Sequence, residues 1–173
     1  MKILSILFIL FLIPVISNIT CICPPMEKLE IAQSKEYNSS EVVFIGNIIS
    51  VSEDLKYYNL TIVEVFKGNL TENDTIKGIN YLSCEPIISQ NGNWLLYGRF
   101  NSGLLNVNTC GLSRDINAPM RNRYFTIIPL PPENYSDTIK IDSRNNFIKN
   151  EEQNNEKAMD QLKLEISKLR LHK

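Results

Sequence analysis

The sequence predicts a small, mainly β domain whose strands close, wholly or partly, into a barrel, with a helix on either side. Three observations carry that expectation. Five runs rich in β-branched and aromatic residues follow one another at short spacing between Glu41 and Thr109. The longest, Glu41 to Val51, holds Gly46 inside it, where a bulge or bend falls. Four cysteines, an even number, stand in a chain of 173 residues that opens with an export signal, so they read as a disulfide framework.

The export signal comes first in the chain. Lys2 supplies a positive start, and Ile3 to Ile16 is almost unbroken hydrocarbon, with only Ser5 and Pro14 intruding. A membrane span takes about 20 apolar residues, and this run is shorter. Residues 1–20 therefore read as a signal peptide cut after Ser17 or after Thr20, and the mature chain as secreted and extracellular. No second apolar run follows, so no membrane span is expected in the mature chain, which has the size of one domain.

Pro24 and Pro25 suit an extended segment leading into a helix over 26–35, where Met26, Leu29 and Ala32 fall at helical spacing. Val42 to Val51 is the first strand. Lys56 to Lys67 alternates, with Tyr58, Leu60, Ile62, Glu64 and Phe66 on one face, and Gly68-Asn69 closes it with turn chemistry. Thr75 to Cys84 is a weaker strand. Asn91-Gly92-Asn93 turns into the strand Trp94 to Phe100, and Asn101-Ser102-Gly103 turns again into its hairpin partner, Leu104 to Thr109. Pro119, Pro129, Pro131 and Pro132 then punctuate a surface connection.

Residues 131–150 read as a linker and residues 151–173 as an amphipathic helix. Ala158, Met159, Leu162, Ile166 and Leu169 share one face, with acids early and bases late, as the helix dipole favours. Mixed rather than basic charge makes this a helix docked on its own barrel.

Several function classes are excluded by composition. A net charge of −1 lacks the basic face that nucleic-acid binders carry. The single histidine, His172, stands at the C-terminal end, so the core holds no imidazole for general-base work or zinc ligation. No GxSxG, HExxH or GxxxxGK[ST] pattern occurs, and cysteines tied in disulfides offer no thiolate nucleophile. The expectation is a binding protein, not an enzyme, with no cofactor of its own, acting as a monomer. Asn-x-Ser/Thr sites at Asn18, Asn38, Asn59, Asn69, Asn73 and Asn134 add the expectation of a glycoprotein.

The four cysteines are Cys21, Cys23, Cys84 and Cys110. A Cys21–Cys23 bridge would close a tiny, strained ring, which leaves two long-range pairings open.

At four places, in order, the chain resembles the netrin-like domain family, and within it the N-terminal domain of the tissue inhibitors of metalloproteinases. These are Cys21-Ile22-Cys23-Pro24-Pro25, Glu41 to Val51 (EVVFIGNIISV), Val65 to Asn69 (VFKGN) and Gly98 to Cys110 (GRFNSGLLNVNTC). The resemblance implies a five-stranded OB-fold-like barrel over residues 21–130, with disulfides Cys21–Cys84 and Cys23–Cys110. No cysteine follows Cys110, so the cysteine-rich C-terminal domain of the animal inhibitors is not expected.

It also implies a function, inhibition of a zinc metalloendopeptidase. The α-amine and backbone carbonyl of a mature N-terminal Cys21 would chelate the target's catalytic zinc. Ile22 would enter the adjoining pocket, Cys23, Pro24 and Pro25 would line the cleft, and Leu82, Ser83 and Cys84 would form a second ridge. Zinc enters only as part of the target. The family usually has a small hydroxyl residue where Ile22 stands. Cleavage after Ser17 would leave three residues ahead of Cys21, and the alternative is then an extracellular netrin-like binding module without inhibitory activity.

Overall fold

The computed structural model describes residue 23 and residues 27–81, 86–119 and 137–173, with side chains in the last stretch described from 149 onward except at 151. Helix α1 is Leu29–Ser39. Strands β1 (Val42–Val51), β2 (Tyr57–Lys67), β3 (Thr75–Ile79), β4 (Gly92–Asn101) and β5 (Leu104–Val107) follow, then the two-residue β6 (Arg114–Asp115) and helix α2 (Asp137–Leu171).

The first five strands close into a mixed barrel. The hydrogen-bonded order is β1-β2-β3-β5-β4, and β4 pairs back onto β1. Every pairing is antiparallel except β3 with β5, where Gly78 and Ile79 stand opposite Leu105 and Asn106. β6 adds itself to β4 through Trp94–Asp115 and Leu95–Arg114.

Two apolar layers share these strands. The barrel interior takes Val42, Phe44 and Ile48 of β1, Tyr58, Leu60 and Ile62 of β2, and Trp94 and Leu96 of β4. The outer layer takes the intervening residues Val43, Ile45, Leu95 and Tyr97, covered by Leu162, Ile166 and Leu169 of α2 and flanked by Leu29, Ala32 and Tyr37 of α1. A strand covered on both faces reads as a continuous apolar run, which is why Val42 to Ile45 and Trp94 to Tyr97 show no alternation. α2 thus lies on its own barrel, with Ala158, Leu162, Ile166 and Leu169 buried as its spacing requires and Met159 half-buried at the margin.

β4 starts at Gly92, inside the expected turn, and β5 ends at Val107 rather than Thr109; the structure departs further from expectation at five places. α1 runs to Ser39 rather than residue 35, because Ser40 ends it by giving its N–H (3.0 Å) and its hydroxyl (2.7 Å) to the Glu36 carbonyl. β2 does not hold one phase. Ile45 faces Glu64 while Gly46 faces Ile62, so Val63 is an extra residue. Such a bulge reverses which side faces inward. Glu64 and Phe66 therefore lie on the outer side with α2, and Val65 turns toward the interior. β3 stops at Ile79 instead of reaching Cys84, and Asn80 turns the chain. β6 is too short to carry a sequence signal. α2 begins at Asp137, so residues 137–150, expected as a linker, are helical.

Candidate functional site

The edge of the barrel that Cys23 meets is built from three pieces: the end of α1, the turn after β5, and the residues on either side of 82–85. Each is held by side chains that polar sequence positions supply.

Cys23 is joined to Cys110, with Cα atoms 5.5 Å apart. Cys110 lies in the left-handed backbone region (φ 57°), in the turn that follows β5. Glu36 of α1 secures that turn, its Oε1 accepting from Asn108 Nδ2 (3.1 Å) and from the Leu112 N–H (3.3 Å). Asn108 Nδ2 also donates to Ser40 Oγ at 2.8 Å. The residues just beyond the disulfide are equally fixed, since Ser113 Oγ accepts from the Tyr97 N–H (2.8 Å) and donates to its carbonyl (3.2 Å). The half-cystine that receives the N-terminal segment is therefore seated on a rigid turn.

The loop after β3 is closed at its base by Asn80. Its Nδ2 donates to the carbonyls of Ile88 (2.8 Å) and Leu55 (2.6 Å), and its Oδ1 accepts from the Ile88 N–H (3.0 Å). Ile88 is fully buried in the barrel interior. One amide thus imitates a strand partner and holds Asn80 beside Ile88 and Leu55.

Gly98 explains why the strand entering this edge carries glycine before Arg99. A Cβ there would lie 2.5 Å from the Asn106 carbonyl oxygen, a distance that backbone cannot yield. The close approach of β4 and β5 sets where Asn106 to Cys110 emerge.

Behind this edge sits a buried ionic cluster. Glu165 of α2 (3% exposed) accepts from Arg114 (1% exposed), from Tyr97 Oη at 2.5 Å and from Gln33 Nε2 at 2.9 Å. The Nε and Nη1 atoms of Arg114 have no hydrogen-bond partner, and Glu165 is its ion-pair partner among the described residues. Burial first, and the Glu165 charge second, push the Tyr97 hydroxyl far above the usual tyrosine pKa. The cluster ties α1, α2, β4 and β6 together, and Gln33, Tyr97 and Glu165 also line a cavity of about 480 Å³ beside Lys168 and His172.

Of the residues singled out from sequence, the structure describes Cys23 and Cys110, joined in the pairing that the resemblance implies. Cys21, Ile22, Pro24, Pro25, Leu82, Ser83 and Cys84, with the Cys21–Cys84 bridge, lie outside the described residues, as do the segment 1–20 and the sites Asn18 and Asn134. Asn38, Asn69 and Asn73 are exposed. Asn59 is half-buried, with Nδ2 bonded to Ser50 Oγ at 2.9 Å. Sequence reasoning missed Asn80, Glu36 and Glu165. The one available signal is that Glu165 falls on the apolar stripe itself, seven residues after Ala158 and four before Leu169.

Among the described residues no three histidine, cysteine or acidic side chains gather to hold a metal, and no helix is long and apolar enough to cross a membrane. No protein-family model matches the chain, and no curated protein matches it.

Proposed function

We propose that this chain is a secreted inhibitor of a zinc metalloendopeptidase, acting through a mature N-terminus at Cys21. The supporting observation is the Cys23–Cys110 disulfide, which fastens Cys23 to a turn that Glu36 and Asn108 hold in place. A catalytic zinc keeps one coordination position open for water. An α-amine with the carbonyl beside it can fill that position as a chelate, and a reference pKa of about 7.7–8.0 leaves enough of the amine neutral near pH 7 to bind. A segment tied to a rigid rim loses little conformational freedom on docking, so more of the gross contact energy appears as affinity. Disulfide chemistry also fits an oxidising, extracellular setting. No enzymatic role and no resident cofactor belong to this reading.

A second reading is favoured by Ile22 and by the small residue Ser17 at an alternative cleavage position: an extracellular module that binds a partner without capping zinc. N-terminal sequencing or intact mass of the secreted protein separates the two. A chain beginning at Cys21 should inhibit a metalloprotease panel stoichiometrically, and one alanine added before Cys21 should abolish that inhibition. A chain beginning at Asn18 and inert against the panel leaves the non-inhibitory module.

A further inference from the structure

Asn38, Asn59, Asn69 and Asn73 each begin an Asn-x-Ser/Thr site among the described residues, and the fold sets them in different surroundings. Asn59 lies in the middle of β2, with Ser50 of β1 on one side and Lys77 of β3 on the other. It is half-buried, its Nδ2 already donates to Ser50 Oγ at 2.9 Å, and Thr61 two positions on is half-buried too. Asn38 is exposed in the last turn of α1, but the hydroxyl two positions on belongs to Ser40, which is 3% exposed. That hydroxyl is committed to the Glu36 carbonyl and to Asn108 Nδ2. Asn69 and Asn73 share the loop between β2 and β3. Both are exposed, Thr71 and Thr75 two positions on are exposed as well, and neither side-chain amide is bonded among the described residues. Asn73 stands at φ 73°, in the left-handed region that asparagine tolerates at a turn.

We infer that the β2–β3 loop, and not the strand that precedes it, carries N-linked glycan. The reaction needs an asparagine amide and a hydroxyl two residues on, and its bulky product needs solvent around the root of the sugar. The loop supplies all three at Asn69 and at Asn73, whereas at Asn59 the sugar would have to displace a cross-strand hydrogen bond on a half-buried sheet face. The co-reactant is a lipid-diphosphate-linked oligosaccharide. A bond forms from asparagine Nδ2 to the anomeric carbon of the first sugar, and the bond from that carbon to the diphosphate oxygen breaks. The lipid diphosphate leaves with that electron pair, and one Nδ2 proton passes to a base of the transferase. Only export of the chain is required, so the inference is independent of what the edge around Cys23 binds.

The test uses the full chain secreted from a eukaryotic cell line. An amidase that releases N-linked sugar is applied in heavy-oxygen water, so every site that carried sugar becomes an isotope-marked aspartate in the peptide mass spectrum. The mark is expected at position 69, at position 73 or at both, and not at position 59. Asn69→Gln combined with Asn73→Gln should lower the mass of the secreted protein by the loop's sugar, and Thr71→Ala combined with Thr75→Ala, which keeps both asparagines, should lower it equally. Asn59→Gln should leave the glycan mass unchanged. All four loop positions are exposed, so these changes leave the core in place. Should a loop variant fail to be secreted, the peptide map of the parent chain decides alone. A loop bare at both asparagines, whether sugar is found elsewhere or nowhere, overturns the inference, and so does marked aspartate at position 59.

Discussion

Tyr97 and Glu165, 68 residues apart, share a buried hydrogen bond of 2.5 Å that fastens the last helix to the outer face of the barrel. Glu165 also carries the charge balance of Arg114, whose remaining nitrogens have no other partner. Removing one member of a buried pair strands the other charge, at a cost of about 3–5 kcal/mol. Glu165→Ala should therefore lower the unfolding free energy by about that amount, whereas Tyr97→Phe, which removes only a hydroxyl, should cost about 1–3 kcal/mol. Chemical denaturation of the two variants checks the order. Equal losses would mean that Arg114 finds water or another partner when Glu165 is gone.

The same hydroxyl sets an alkaline limit on stability. Burial raises the folded-state pKa of Tyr97 and of Tyr58 well above the ordinary 10.0. The neutral form is thus the folded form. The contribution is fully present below the unfolded-state pKa and is lost as pH rises past it, because the unfolded chain releases protons that the folded one holds. Absorbance titration near 295 nm should show these two tyrosines ionising late and in step with loss of the fold. A smooth titration of all tyrosines in folded protein would refute the burial of both hydroxyls.

Acid acts through Glu64, whose pKa is lowered by its hydrogen bond to Arg170 and by that charge. Stability from this pair is present above the ordinary carboxylate pKa and fades as pH falls through the lowered value. Arg170 is more than half exposed, so the pair contributes little, about 1 kcal/mol or less. Arg170→Ala should leave neutral-pH stability nearly unchanged and flatten the acid limb of the stability profile. A large loss at pH 7 would show instead that Arg170 anchors the helix end.

Asn80 makes a sharper mechanical prediction. Asn80→Ala leaves the Ile88 N–H, the Ile88 carbonyl and the Leu55 carbonyl without their partner, and about 2–3 kcal/mol of stability should go with them. Loss of the pin should also loosen the segment 81–87, seen as faster amide exchange there than in β4. Asn80→Asp keeps the acceptor for the Ile88 N–H but sets a carboxylate against two carbonyl oxygens, so it should be no better than alanine.

The parts of this fold legible in the sequence are those whose burial is set by near neighbours. Val42 to Ile45 and Trp94 to Tyr97 announce strands because both faces are covered, and Ala158, Leu162, Ile166 and Leu169 announce a docked helix because a three- and four-residue rhythm survives over several turns. What stayed hidden depends on distant partners. Glu165 interrupts the apolar face of its helix for no visible reason until Arg114 and Tyr97, 51 and 68 residues earlier, are brought beneath it. The phase change at Val63 comes from a register slip against β1 that no local pattern encodes. Cysteine spacing alone left two pairings open, and the resemblance to a family chose Cys23–Cys110 between them, as the structure has it.

That disulfide supplies the last prediction. Cys23 and Cys110 are 87 residues apart, so the link removes a large loop-closure entropy from the unfolded chain, and replacing both by serine should cost about 2–5 kcal/mol. The barrel itself should survive, because its two apolar layers and the Arg114–Glu165 cluster do not involve either sulfur. The change should be local as well as global. With the tether gone, the residues before α1 lose their fixed seat, and limited proteolysis should cut there before it cuts α1 or β5. A double variant that melts like the parent and resists proteolysis at residues 23–28 would show that the N-terminal segment is held by packing, and that covalent pre-organisation plays no part in presenting it.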